Sequence, residues 1–120
     1  DYGEGTKSNI ITIADTDEPA APSTSNTSCN NTSATATKTC TVTHTYTEIM
    51  DVSTAPTATI TGTLSSATVT HAWDDDGNVG TFTITVPVST NGTSDTFTVD
   101  KSTVKDLSGN VLSSDWSETL

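Results

Sequence analysis

Apolar and polar residues alternate one by one along most of the chain, and threonine fills many of the polar positions. In residues 39–48, Cys40, Val42, His44 and Tyr46 share one face and four threonines line the other. This period of two indicates a strand with one face in the core. Residues 57–64, 67–73, 81–88 and 95–99 repeat the pattern, and no segment has the apolar period of a helix. The sequence therefore predicts an all-β fold.

Short segments rich in Asp, Asn and Gly separate the predicted strands, at residues 74–78, 90–92 and 106–110. Asp-Gly and Asn-Gly pairs favour tight hairpin turns, and short strands joined by such turns are typical of a two-sheet sandwich. We predict an Ig-like antiparallel β-sandwich over residues 15–120, with an extended N-terminal strand in residues 1–14. Trp73 is expected in the centre of the core and Trp116 at one end.

Residues 19–38 lack the alternation and are rich in Pro, Ser, Thr and Asn, so we expect an edge strand followed by a surface loop. Cys29 and Cys40 are the two cysteines of the chain. They are too few for a four-ligand zinc site, and their spacing is not C-x-x-C. The sequence predicts a disulfide between them, and the alternative is two free thiols in a reducing compartment.

Composition and charge narrow the classes of partner. The chain has 29 Thr and 15 Ser, and 31% of its residues are hydrophobic, which favours disorder in some segments but not in the alternating strands. Its 4 Lys and 15 acidic residues give a net charge of −11. We expect no nucleic-acid partner and no membrane insertion, because the chain lacks a basic surface and a long apolar run. The cysteines and the first residue, Asp1, favour a secreted, extracellular or cell-surface protein, or a fragment of one.

Three short sequence motifs, called phrases below, resemble those of a known family. Residues 15–19 read Asp-Thr-Asp-Glu-Pro, residues 46–51 read Tyr-Thr-Glu-Ile-Met-Asp, and residues 104–112 read Val-Lys-Asp-Leu-Ser-Gly-Asn-Val-Leu. In this order they resemble the Ig-like repeats of prokaryotic surface proteins. Ile49 replaces the family's usual Pro, and the segment between Cys29 and Cys40 is atypical. The resemblance implies a non-catalytic stalk, adhesin or layer domain.

In tandem arrays of that family, the strand before the Asp-Thr-x-x-Pro phrase closes the preceding domain. The residues at this position here are Asn9, Ile10, Ile11, Thr12, Ile13 and Ala14. The chain stops at residues 116–120, where the resemblance implies that a closing strand is due, so we expect its own sheet to lack this strand. We therefore expect residues 9–14 to act as a donor strand for a neighbouring copy, giving a head-to-tail homopolymer. Pairing within the same domain, or a fragment of a tandem array, are the alternatives.

The predicted function is that of a structural subunit of an extracellular filament or pilus. The alternative is a monomeric adhesin, S-layer repeat or carbohydrate-binding module. We expect no enzyme, because the chain has no nucleophile-elbow phrase, no arguable pair of catalytic carboxylates and no phosphate-binding glycine loop. His44 and His71 lie on apolar strand faces and are expected to be core or interface histidines.

Asp74, Asp76 and Asn78 stand at alternate positions of an acidic loop, as oxygen ligands of calcium do. The loop lacks the Gly and Glu that complete an EF-hand, so an acidic hairpin turn is the favoured interpretation and calcium the alternative. We expect no cofactor, with calcium as the one candidate. A second acidic set is expected to meet at one end of the domain: Asp15, Asp17 and Glu18 with Asp51 or Asp106.

Four asparagines begin Asn-x-Ser/Thr sequons: Asn26, Asn30, Asn31 and Asn91. Three of them cluster in one predicted surface loop, which favours glycosylation if the source organism attaches N-glycans. Chance occurrence in a chain rich in Asn, Ser and Thr is the alternative.

Overall fold

The computed structural model describes residues 14–120, so predicted donor residues 9–13 lie outside the described part. Within it, nine strands and one short 3-10 turn at Lys101–Thr103 are present, and no α-helix. The strands are β1 (Ser23–Asn26), β2 (Asn30–Asn31), β3 (Lys38–Thr45), β4 (Ala58–Thr61), β5 (Thr68–Trp73), β6 (Val79–Val86), β7 (Thr90–Asn91), β8 (Thr96–Val99) and β9 (Trp116–Thr119). The all-β prediction is confirmed.

The strands form two antiparallel sheets and a short ribbon. The first sheet has the order β1-β3-β6-β5, the second has the order β4-β8-β9, and β2 pairs with β7. These orders correspond to the ABED and CFG sheets of an immunoglobulin constant-type domain. The predicted Ig-like antiparallel sandwich is therefore confirmed for the described residues.

The core follows from the alternation in the two central strands, β3 and β6. Their register places Val42 across from Phe82 and Cys40 across from Ile84, and all four side chains are buried. Phe97 of the second sheet packs on Phe82 from the other side, with the ring centroids 5.0 Å apart. The threonines between these positions face outward, where a β-branched side chain fits the sheet and its hydroxyl stays accessible.

The disulfide and the edge strand are also confirmed. Cys29 and Cys40 are bonded, with their Cα atoms 5.1 Å apart, and both are fully buried. Strand β1 lies at the edge of the first sheet and pairs with β3. The bond therefore ties the segment after β1 to the central strand.

Two expectations were wrong, one about Trp73 and one about the C-terminus. Trp73 is half-buried on the edge strand β5, and Phe82 and Phe97 occupy the centre instead. Residues 116–119 are themselves the closing strand β9, which pairs with β8. The sequence pattern does not indicate this strand. Ser117 and Thr119 face outward, and Glu118 takes an inward position that is usually apolar, so little apolar alternation remains.

Candidate functional site

The sandwich is open along the side formed by β4 and β5. Within residues 14–120 the first sheet has four strands and the second has three, so the inward side of β5 is incompletely covered. Val69, His71 and Trp73 point inward but are only half-buried. Phe82 and Ile84, their neighbours on β6, are fully buried. An inward-facing apolar row is therefore left partly in solvent.

A groove runs along this open side. It has a volume of about 280 Å3 and is lined by Ala58 of β4, Val69 and His71 of β5, and Phe82 at its floor. A second hollow, of about 520 Å3, continues from His71 past Trp73. Among the described strands, β4 pairs only with β8, so its other backbone edge is free. A free edge beside a mainly apolar groove is the arrangement that accepts an added strand.

At one wall of the groove lies a polar contact between two histidines. Nε2 of His44 is 2.8 Å from Nε2 of His71, and Nδ1 of His44 is 2.8 Å from the hydroxyl of Tyr46. Gly80 of β6 makes room for both rings, because a Cβ there would overlap both Nε2 atoms. Each hydrogen bond is satisfied when both rings are neutral, with one Nε2 donating and the other accepting.

Burial holds both histidines in the neutral form. His44 is completely buried, and five aromatic rings lie with centroids 5.1–5.3 Å from its own: Tyr46, His71, Trp73, Phe82 and Trp116. Burial, followed by the charge of His71, lowers the pKa of His44 to about 3. Burial lowers the pKa of His71 to about 4. The expectation of core histidines with satisfied ring nitrogens is confirmed for His44, and His71 sits at the rim.

The three phrases of the family resemblance meet at one end of the sandwich, which we call the acidic end (residues 15–19, 46–51 and 104–112). Met50 bridges to Asp106, the amide of Asp51 donates to the carbonyl of Lys105 (2.8 Å), and Nδ2 of Asn110 donates to the carbonyl of Asp15 (2.9 Å).

The carboxylates of this end also lie close to one another. Partial desolvation, and then the charges of Asp106, Asp15 and Asp17, raise the pKa of Glu48. The expected approach of Asp15 and Asp17 to Asp106 is therefore present, while the position of Glu18 in this set stays a prediction.

The acidic loop between β5 and β6 is held as a hairpin turn. Oδ1 of Asp74 accepts hydrogen bonds from the amides of Gly77, Asn78 and Val79 at 2.9–3.1 Å. Within residues 14–120, no group of three or more His, Cys, Asp or Glu side chains is placed to hold a metal ion. Calcium binding by Asp74, Asp76 and Asn78 stays a prediction.

The four sequon asparagines lie in different environments. Asn31 is buried, and its Nδ2 donates to the carbonyls of Ala36, Val86 and Pro87. Nδ2 of Asn26 donates to the carbonyl of Thr119 (2.8 Å). Asn30 and Asn91 are exposed and lie directly opposite each other in the β2–β7 ribbon.

Asp95 is a buried acid that the sequence pattern did not predict. The carboxylate of Asp95 is 3% exposed and accepts hydrogen bonds from the amides of Thr63 (3.1 Å) and Leu64 (2.7 Å). A Cβ on Gly62, which has a φ of 116°, would overlap this carboxylate. Asp95 therefore anchors the connection between β4 and β5, and its only sequence signal is a lone acid at the start of a strand.

Comparison of the chain with protein-family models, with curated protein sequences and with solved structures finds no match in any of the three. The described residues contain no helix that is long and apolar enough to cross a membrane.

Proposed function

We propose that this chain is a structural subunit of an extracellular filament, and that residues 9–14 of one copy dock in the open groove of the next. The observation that carries the proposal is the half-covered inward row of β5 beside the free edge of β4. The Cys29–Cys40 disulfide supports an oxidising, extracellular location.

The length and pattern of residues 9–14 fit this groove. Six residues in a strand span about 20 Å, because each adds roughly 3.3 Å. Strand β5 also has six residues. Ile11 and Ile13 share one face of such a strand, and that face would cover Val69 and His71. Full burial of one isoleucine side chain contributes about 1.5–3 kcal/mol, in addition to the backbone hydrogen bonds to β4.

Donation between copies produces a filament because the donor and the groove are different surfaces. Such a heterologous contact does not close on itself, so each added copy leaves a new groove free. The donor segment leads into Asp15, which Asn110 holds at the acidic end. At the same end Ile49, Val52 and Leu107 are 56%, 54% and 70% exposed, which supplies apolar surface for an end-to-end contact.

Disulfide trapping tests the docking geometry. A chain carrying Ile11→Cys and Val69→Cys is expected to form a ladder of covalent oligomers on a non-reducing gel. The matched control carries Thr12→Cys with Val69→Cys, which places the new thiol on the outer face of the donor. A ladder of equal intensity in the control would contradict the proposed register, and a cross-linked monomer would show pairing within one chain instead.

Light scattering and electron microscopy test the assembly itself. Replacing Ile11 and Ile13 with Asp is expected to abolish filaments, because two carboxylates would have to enter an apolar groove. Thr12→Asp adds a charge on the outer face and should leave filaments intact. Filaments of normal length from the double variant would refute the donor role of residues 9–14.

A further inference from the structure

The β2–β7 ribbon lies at the end of the sandwich opposite the acidic end. Cys29 precedes it and is buried, and the amide of Ser89 donates to the carbonyl of Ser33 (2.8 Å) beside it. Two of the four sequons of the chain begin on this ribbon with exposed asparagines, at Asn30 and Asn91. The ribbon therefore carries two exposed sequon asparagines.

The carboxamide of Asn91 is held by the residues of its own sequon. Its Oδ1 accepts hydrogen bonds from the amide of Thr93 (3.0 Å) and from the hydroxyl of Thr93 (2.8 Å). These bonds form an Asx turn, which orients the carboxamide through its oxygen. Within residues 14–120, Nδ2 of Asn91 makes no hydrogen bond, and the side chain is exposed. The nitrogen that a glycan would occupy is therefore open to solvent.

A shallow hollow of about 320 Å3 adjoins Asn91. It is lined by polar side chains: Asn30, Asn31, Thr32, Ser89 and Thr90. Hydroxyl and amide groups of this kind hydrogen-bond sugar hydroxyls without burying apolar surface. A first sugar on Asn91 thus has a polar surface to lie against.

Asn26 and Asn31 are engaged elsewhere. The three carbonyl partners of the Asn31 Nδ2 join the loop after β2 to the end of β6. A glycan on that nitrogen would break these bonds and force a sugar into a buried site, which costs about 1–3 kcal/mol for each unsatisfied group. Asn26 is exposed, but its Nδ2 holds β1 to the carbonyl of Thr119 on β9.

We propose that Asn91 is an N-glycan acceptor and that Asn31 is a structural residue of the same ribbon. The sugar comes from a polyprenyl-diphosphate-linked donor supplied by a transferase. The anomeric carbon bonds to Nδ2, its bond to the diphosphate oxygen breaks, the electron pair leaves with the diphosphate, and Nδ2 releases one proton. Asn30 lies directly opposite Asn91 in the ribbon, and the Cβ atoms of such an opposed pair are about 5 Å apart. A glycan on Asn91 therefore excludes one on Asn30.

Glycopeptide mapping and intact mass of the protein from its natural source test this assignment. We expect one glycan, on the peptide that contains Asn91. An unmodified Asn91, a glycan on Asn31 in folded protein, or glycans on Asn30 and Asn91 of the same molecule would each overturn it.

Variants made in the natural source, or in a host with N-glycosylation, separate the sequons. Asn91→Gln and Thr93→Ala are expected to remove the glycan mass entirely. Thr32→Ala and Ser33→Ala, which delete the sequons of Asn30 and Asn31 while keeping both asparagines, should leave that mass unchanged. Loss of the glycan in these two control variants would contradict the assignment to Asn91.

Discussion

Acidification from pH 7 to pH 5 should destabilise the domain through the buried histidine pair. The pKa of His44 is lowered from 6.5 in the unfolded chain to about 3 in the folded domain. The unfolded chain therefore binds the proton more readily, and stability is lost as the pH falls below 6.5 towards the folded value. The physical reason is that burial disfavours the charged ring of His44, and that once both rings are protonated the two Nε2 atoms, 2.8 Å apart, are both donors.

The magnitude follows from the distance between pH 5 and the unfolded pKa. Each pH unit in this interval is worth about 1.4 kcal/mol, so His44 alone accounts for about 2 kcal/mol at pH 5. His71, whose pKa is lowered to about 4, is half-exposed, and solvent screening reduces its share to about 1 kcal/mol. A total of about 3 kcal/mol is a large part of the 5–15 kcal/mol typical of a domain.

Other titrating groups act outside this window or in the opposite sense. The pKa values of Asp51, Asp100 and Asp106 are lowered, the first two by hydrogen bonds to Ser53 and Ser102. Their contribution is present above their ordinary pKa of 3.8 and is lost only below it. The raised pKa of Glu48 makes acidification favourable at that residue, so a Glu48→Gln background removes this opposing contribution.

Urea unfolding followed by tryptophan fluorescence at pH 7, 6 and 5 measures the effect. His44→Phe is the informative variant, because the ring volume is retained and the titrating nitrogens are removed. It should lower the free energy of unfolding at pH 7, since the Tyr46 hydroxyl loses its partner, and show a much smaller change between pH 7 and pH 5. A wild-type free energy of unfolding that is unchanged at pH 5, or an equal fall in the variant, would refute the reasoning.

Three further predictions concern the buried carboxylate of Asp95, the disulfide and the acidic turn. Asp95→Ala should destabilise the domain by about 2–4 kcal/mol in urea unfolding, because the buried amides of Thr63 and Leu64 lose their acceptor, and Asp95→Asn should cost less. Reduction of the Cys29–Cys40 disulfide should lower the free energy of unfolding by about 3 kcal/mol, which is measured as a lower Tm. An unchanged Tm after reduction would contradict a stabilising role of the bond. EDTA should leave the Tm unchanged, because Asp74 already holds its turn through three amides; a fall would instead demonstrate a bound cation.

The sequence by itself determined the class of fold, the central strands and the disulfide. Strict alternation in β3 and β6 is readable because each apolar residue must face the core on a two-residue period. The Asp-Gly signal at Gly77 located a hairpin because its φ of 77° suits glycine. The cysteine pairing was predictable because the chain has only two cysteines, which leaves one possible bond between them.

Only the tertiary structure decided which strands are buried by other segments and which polar side chains are engaged in hydrogen bonds. The strand at Trp116 was missed because β9 owes its place to backbone pairing with β8, which has no pattern of its own in sequence. The exposure of the sequon asparagines could not be predicted from sequence either. Asn30 and Asn31 are neighbours in the chain, but Asn30 is exposed and Asn31 is buried. Local sequence sets which face a side chain takes, whereas its burial depends on what distant segments place over that face.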